Sequence, residues 1–288
     1  MKTAIIKGYA KINLHLDVTG IMENGFHAVN NIMQSVSLCD TVTLKERLDG
    51  VITVDCNIDK VPKNESNLAY RAARLFCERT GVCIGADIYI EKHIPMAAGL
   101  AGGSADAAAT LKGMNELCAY PLSEDELCAI GGELGSDIPF CIVGGAAFAD
   151  EKGDVLHPFP KMPDCTIVIA CGGEGVSTPL AYRMLDDKYD RFCSYTPADT
   201  LALRKAAECG DIANIAKNTF NIFEQPVLSV RPVAAAIKQA MINGGAIRAM
   251  MSGSGPSVFG IFIDEHTAVE AARLISALGV TPHICKPN

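Results

Sequence analysis

One segment constrains this chain more than any other: Ile94-Pro95-Met96-Ala97-Ala98-Gly99-Leu100-Ala101-Gly102-Gly103-Ser104-Ala105-Asp106-Ala107-Ala108-Ala109. A proline opens it, three glycines follow, and an alanine-rich run of strong helix formers completes it. A glycine-rich turn feeding a helix leaves several backbone N–H groups without intrahelical partners, all pointing one way. The helix dipole adds positive potential there, and the missing Cβ atoms let an anion reach the backbone. The segment reads as a phosphate-binding turn. Its bland alternative is a glycine-rich connection between a strand and a core helix. Neither common nucleotide loop fits. A Walker A turn ends in Gly-Lys-Ser/Thr, whereas Gly103-Ser104-Ala105 carries no lysine. The dinucleotide fingerprint needs G-x-G-x-x-G, and Gly99-Leu100-Ala101-Gly102 breaks that spacing.

Charge and cysteine usage narrow the partners. The formal net charge is −8 and no basic stretch stands out, so nucleic acid is not expected to bind. A local cluster of donors still suits an anionic small molecule. With 49% hydrophobic and 20% charged residues over 288 positions, the chain is globular and long enough for one large domain or two ordinary ones. Twelve cysteines lie scattered in apolar runs with no C-x-x-C pair, which matches no zinc template and suits reduced, buried thiols. The start of the chain shows no signal peptide, and no apolar run approaches a membrane span. The expectation is a cytoplasmic protein with a small-molecule substrate and no membrane partner, a monomer or weak homodimer.

Periodicity places the motifs. Residues 3–16, 32–46, 50–56 and 86–93 read as strands, the last delivering the chain to the glycine turn. Asn67 caps a helical pattern to Thr80; Ser104 to Cys118 and Ser123 to Leu134 follow as helices, Ser123 and Glu126 forming a capping box. A turn and strand cover 144–152. The chain restarts with a strand at 166–171, helices at 179–185, 200–210 and 232–243, strands at 246–252 and 257–263, and a helix at 267–277. Strands and helices mix without strict alternation, so the fold class is α+β. A proline-rich connection between Gly153 and Asp164 marks the boundary of two domains, 1–158 and 159–288.

Few residues could carry chemistry. Lys11 and Asn13 share one face of an otherwise apolar strand, Tyr9-Ala10-Lys11-Ile12-Asn13-Leu14. Lys11 is either an edge lysine that snorkels to water or a catalytic cation. Asp137, in Gly135-Ser136-Asp137-Ile138-Pro139-Phe140, is either a turn cap or an acid/base group paired with that lysine. Gly253-Ser254-Gly255-Pro256 between two strands is a hairpin turn or a place where backbone meets ligand. Phe26 beside His27, with Thr178 and Tyr182 at a helix start, would line a pocket for a flat polar ring.

Taken together these segments resemble the GHMP kinase superfamily, whose members include galactokinase, homoserine kinase, mevalonate kinase and phosphomevalonate kinase. Pro95 to Ala108 resembles its phosphate-binding motif and Gly253 to Pro256 its C-terminal glycine motif. Within it, Tyr9 to Leu14, Asn24 to His27, Asn67 to Ala72, Gly135 to Phe140 and Met251 to Pro256, in that order, resemble the kinases acting on a cytidine diphosphate ester in non-mevalonate isoprenoid synthesis. The resemblance implies a two-domain GHMP kinase fold with helices layered on mostly antiparallel sheets, and ATP with Mg²⁺. It implies that Asp137 is the catalytic acid/base and Lys11 its partner. Pro95, Ala97, Gly99, Leu100, Ala101, Gly102, Gly103, Ser104 and Ala105 would hold ATP. Asn13, Phe26, His27, Thr178 and Tyr182 would hold the substrate, His27 reading the cytosine edge. Ala101 stands where the family often has glycine and Ala105 where it has a second serine, which leaves the Mg²⁺ ligands open. Phe26 stands where tyrosine is frequent. Alternatives are a mevalonate-type or homoserine kinase, or an inactive metabolite-binding member.

Overall fold

The structure, a computed structural model, describes residues 2–23, 25, 27–82, 84–150, 155–189, 192 and 195–288. The chain divides into two compact units that alternate along the sequence. Met1–Ala10, Cys39–Met96 and Ala101–Gly144 form the first; Lys11–Leu38, Ala97–Leu100 and Gly145–Asn288 form the second. Two long strands, β1 (Thr3–Ile21) and β2 (His27–Arg47), contribute residues to both.

In the first unit β3 (Ile52–Cys56) runs parallel to β4 (Gly85–Glu91), which pairs antiparallel with Thr41 to Arg47 of β2. Alternate residues Val42, Leu44, Ile88 and Ile90 are buried and pack with Ala72 and Phe76 of α1 (Leu68–Thr80) and Leu111 and Met114 of α2 (Gly102–Leu117). Local chemistry sets the helix ends. Asn67 Oδ1 accepts from Ala69 N at the start of α1, and Gly81, at φ 70, ends it. Ser123 and Glu126 close the capping box of α3 (Glu124–Leu134). The alanines and Gly113 let α2 lie close to the sheet; a Cβ on Gly113 would stand 2.4 Å from Leu44 Cδ1.

In the second unit β5 (Ala146–Asp150) pairs antiparallel with β2 and with β6 (Val155–Pro158), while β8 (Phe220–Asn221) pairs parallel with β1. A four-stranded antiparallel sheet has the order β11 (Pro282–Cys285), β7 (Thr166–Cys171), β10 (Ser257–Phe262), β9 (Arg248–Met251). Ala234, Ile237 and Met241 of α9 (Pro232–Asn243) and Ala268, Ala271 and Ile275 of α10 (Glu265–Ser276) bury against it. A smaller cluster joins Leu16 and Val18 of β1 to Ala181 and Leu185 of α5 (Thr178–Lys188). The architecture is the expected α+β with mostly antiparallel pairing.

The elements differ from expectation where segments are short. Residues 138–143, to which the sequence pattern assigns no element, form the helix α4 (Ile138–Val143) with Pro139 in its first turn, where proline costs little. Helices α6 (Leu201–Glu208), α7 (Ile212–Asn218) and α8 (Glu224–Val230) occupy a region where only the first was anticipated. Helix α2 starts at Gly102 rather than Ser104: glycines are tolerated in a first turn whose N–H groups lack helical partners anyway.

Candidate active site

The glycine turn ends at the start of α2, which lies in the first unit. Ala101 is its N-cap, at φ 57, and no side chain caps the helix. The ladder begins with Ala105 N donating to Ala101 O at 2.8 Å, so the amides of Gly102, Gly103 and Ser104 lie outside it. The two adjacent glycines are not equivalent. A Cβ on Gly102 would stand 3.0 Å from Ile94 Cγ2 and 3.2 Å from Lys92 Nζ, whereas one on Gly103 would meet only Leu68 Cδ1, at 3.5 Å. Gly102 is small because protein packs on it, whereas Gly103 is exposed with room for a Cβ. Pro95, just ahead of the turn, is half-buried.

In the second unit Lys11 and Asn13 do share a face of β1, and Lys11 is buried rather than snorkelling to water. Lys11 Nζ donates to Asn13 Oδ1 at 2.8 Å and to Gly99 O at 3.2 Å, and its backbone N to Leu100 O at 3.2 Å. Asn13 Oδ1 also accepts from Gly253 N at 2.8 Å and lies 3.2 Å from Ser252 Oγ, while Asn13 Nδ2 donates to Asn31 Oδ1. Ser252 Oγ donates in turn to Gly99 O. Asn13 therefore joins the lysine to the Gly253 turn, and the lysine itself reaches Gly99. A Cβ on Gly99 would stand 2.2 Å from Ser252 O, and one on Gly253 2.9 Å from Gly99 O. At 99 and 253 glycine is required because two backbones touch. Ala97, also in this unit, is exposed at φ 50.

A second cluster in the same unit surrounds His27. Its Nε2 lies 2.7 Å from Asp186 Oδ1, and its ring stacks on Tyr182 with centroids 4.4 Å apart and planes 25° from parallel. Phe192 meets the imidazole edge-on at 5.8 Å, and Phe223 is perpendicular to Tyr182 at 5.1 Å. Thr178 opens α5, exposed, one turn before Tyr182. Tyr182 thus stacks on the histidine itself in this arrangement. Phe26 lies outside the described residues.

Asp137, in the first unit, sits at the N-cap position of α4 but makes no capping hydrogen bond, so its half-buried carboxylate is not committed to holding that helix. Sequence reasoning missed several polar groups. Asp186 falls four residues after Tyr182 on α5, a spacing that could have flagged it. Asp17 Oδ1 accepts from Tyr195 Oη and Asp17 Oδ2 from Ala198 N, both at 2.7 Å; burial, and then the bond to Asp17, raises the Tyr195 pKa. Lys92, Asp40 and Asp106 form a buried ion cluster in the first unit; the signal was a carboxylate inside each of two apolar runs, Leu38-Cys39-Asp40-Thr41-Val42 and Ala105-Asp106-Ala107.

Comparison with known proteins is consistent along the whole chain. Residues 67–145 match the family described as GHMP kinases N terminal domain, and residues 202–280 match GHMP kinases C terminal. The chain is 41% identical over 285 residues to a 4-diphosphocytidyl-2-C-methyl-D-erythritol kinase of Alkaliphilus metalliredigens, covering 99% of this chain and 96% of the relative. It is 44% identical over 268 residues to that of Acetivibrio thermocellus, covering 93% of each. A crystal structure of 4-(cytidine 5'-diphospho)-2C-methyl-D-erythritol kinase superposes with a TM-score of 0.82 at 29% identity, over 99% of this chain and 100% of the other. A homoserine kinase from Cytophaga hutchinsonii shares the fold, with a TM-score of 0.73 at 19% identity over 99% and 94% of the two chains. The chain belongs to the GHMP kinases, in the 4-diphosphocytidyl-2-C-methyl-D-erythritol kinase family, and is an ATP-dependent kinase.

Proposed function

We propose that this kinase transfers the γ-phosphoryl group of ATP to the C2 hydroxyl of 4-diphosphocytidyl-2-C-methyl-D-erythritol. The observation that carries this choice of acceptor is the His27 cluster: an imidazole with one nitrogen on Asp186 and one face on Tyr182 suits a flat heterocycle with a defined donor–acceptor edge. Mevalonate and homoserine have no such ring. Asp137 accepts the hydroxyl proton or orients that hydroxyl as the new O–P bond forms and the bond to the β-phosphate oxygen breaks. Lys11, held by Asn13 and Gly99, offsets charge on the transferring group. One N–H of the Asn13 amide goes to Asn31, which leaves the other for a substrate hydroxyl. The amides of Gly102, Gly103 and Ser104 receive the triphosphate, with Pro95, Ala97, Gly99, Leu100, Ala101 and Ala105 shaping the turn around it. Thr178 and Phe26 complete the substrate side.

No group of three or more His, Cys, Asp or Glu among the described residues could hold a metal ion. Mg²⁺ commonly arrives on phosphate oxygens and keeps several waters. When bound with ATP, the ion would supply positive charge that offsets the charge of the triphosphate. Ser104 is the hydroxyl this chain offers to it, because Ala105 has none. The protein would act in the cytoplasm as a monomer or weak homodimer, with ATP handled by residues 1–158 and the fold completed by 159–288. The test is a coupled ADP-release assay with the cytidine diphosphate substrate, mevalonate and homoserine offered separately. Turnover with the first alone is expected; turnover with mevalonate or homoserine instead would overturn the assignment.

A further inference from the structure

Lys92 follows β4, and its side chain is buried where the chain turns toward Pro95. Its ammonium donates to Asp40 Oδ2 at 2.5 Å and to Asp106 Oδ2 at 2.8 Å. Asp40 Oδ1 accepts from His93 N at 2.6 Å and Ile94 N at 2.8 Å. Asn57 Oδ1 accepts from Lys92 N, and Asn57 Nδ2 donates to Lys92 O. Three consecutive residues at the mouth of the glycine turn are thereby held through backbone and side chain. Asp106 lies one turn into α2, and Lys92 Nζ sits 3.2 Å from where a Gly102 Cβ would be. The same ammonium thus binds the helix that leaves the turn and, through Asp40, the residues that lead into it.

We propose that Lys92, Asp40 and Asp106 form a positioning clamp that sets the approach to the phosphate turn and the first turn of α2, and through them the affinity for ATP. The inference rests on Gly102 to Ser104 being the triphosphate site. One ammonium faces two carboxylates in a buried place, so their charges balance only if one acid keeps its proton. Burial, with Asp40 alongside, pushes Asp106 up to about 8, which makes the cluster neutral at neutral pH. Among the described residues the Cys56 thiol of β3 also faces it, pushed up by burial and therefore uncharged. The folded value lies above the ordinary carboxylate value of 3.8. Asp106 therefore contributes stability in full below 3.8, and that contribution is lost as pH climbs through about 8. Ionisation there leaves a net negative charge one turn behind the amides that face the triphosphate, opposing the field of the helix.

The experiment measures ATP affinity by calorimetry, with Mg²⁺ present, for the wild type and Asp106→Asn between about pH 7 and about pH 9. Alongside it, the KM for the phosphoryl acceptor is read. The amide imitates the protonated acid and cannot ionise. Wild-type ATP affinity should weaken by roughly fivefold across that range and the variant's by less than about twofold, with the acceptor KM moving equally in both. Parallel ATP profiles in the two proteins would overturn the clamp. Lys92→Met should weaken ATP binding by about tenfold or more with little change in acceptor KM; a folded variant with unaltered ATP affinity would overturn it too. Should Lys92→Met fail to fold, the Asp106→Asn profile decides. Gly103→Val separates the two layers of inference. If it leaves ATP affinity intact, the phosphate-turn reading fails; if it alone weakens ATP, only the clamp fails.

Discussion

Two buried lysines keep opposite company in this molecule. Lys11, 4% exposed, gives its ammonium to two neutral oxygens, Asn13 Oδ1 and Gly99 O. Lys92, 6% exposed, gives its ammonium to two carboxylates, Asp40 and Asp106. Neutral acceptors satisfy the geometry of a buried cation without cancelling its field, which stays available to an incoming phosphate. Carboxylates cancel the field, and removing the cation then leaves a charge buried without a partner. The first arrangement suits chemistry and the second suits architecture, although one lysine lies within an apolar strand and the other just beyond one.

The largest expected effect is therefore on stability, at Lys92. Lys92→Met leaves Asp40 and Asp106 facing each other and should cost about 3–5 kcal/mol of unfolding free energy. Set against a total of roughly 5–15 kcal/mol for a typical domain, that is severe. Urea unfolding of wild type and variant measures it. A loss below about 1 kcal/mol would mean that the cluster adjusts freely, and the contrast with Lys11 would collapse.

Lys11 should show the mirror image. Lys11→Ala, like Asp137→Asn, is expected to keep the unfolding midpoint close to that of the wild type and to lower kcat by about a hundredfold or more, the range for losing a group that acts on the transferring proton or charge. Steady-state kinetics beside the same urea curves separates the two quantities. Near-full kcat at either position would remove that residue from the mechanism. A stability loss at Lys11 matching that at Lys92 would show that neutral and charged partners hold a buried lysine alike.

How much of this could be read from the chain follows the range of the forces involved. Asn67 as a cap, the Ser123–Glu126 box, the strand Thr166–Cys171 and the helix Pro232–Asn243 were legible because each depends on residues within a turn or two of itself. The glycine turn was legible as a turn. What each glycine is for was not, because Gly99 is packed by Ser252, 153 residues away, and Gly102 by Lys92. Lys92 itself escaped notice since its carboxylates lie 52 and 14 residues off. The helix Ile138–Val143 escaped for a different reason: six residues with a proline among them give no periodicity to read.

A smaller effect is expected at His27, whose partner is again a carboxylate but outside the buried interior. Asp186 fixes one ring nitrogen and Tyr182 one ring face, so the imidazole presents a set orientation to a base. Cytosine and uracil exchange donor and acceptor at the edge such a group reads, and a buried mismatch costs about 1–3 kcal/mol. CMP should bind the wild type roughly tenfold to a hundredfold more tightly than UMP, and His27→Ala should shrink that preference while sparing ATP affinity. Calorimetric titration of both nucleotides decides; equal affinities in the wild type would exclude a cytosine-reading role.

The smallest effect probes whether the Lys92 cluster reaches the turn it is argued to hold. Ala101, the N-cap of α2, has φ 57, a left-handed conformation that costs a residue with a Cβ about 1–2 kcal/mol. Glycine there removes that strain but adds about 0.4–1 kcal/mol of unfolded-chain entropy to be lost on folding. Ala101→Gly should therefore stabilise the protein by no more than about 1 kcal/mol, seen as a rise of about 1–2 °C in the thermal midpoint. Ala108→Gly, inside the same helix, should instead destabilise by about 1 kcal/mol. The backgrounds matter more than the single value. If the Lys92 cluster holds the start of α2 in place, Lys92→Met lets Ala101 relax, and the gain from glycine should shrink there. In the Lys11→Ala background the gain should persist within about 0.5 kcal/mol. Equal gains in both would mean that the strain at Ala101 is set within the turn itself, and that the carboxylate-bound lysine fixes its own neighbours without governing the turn.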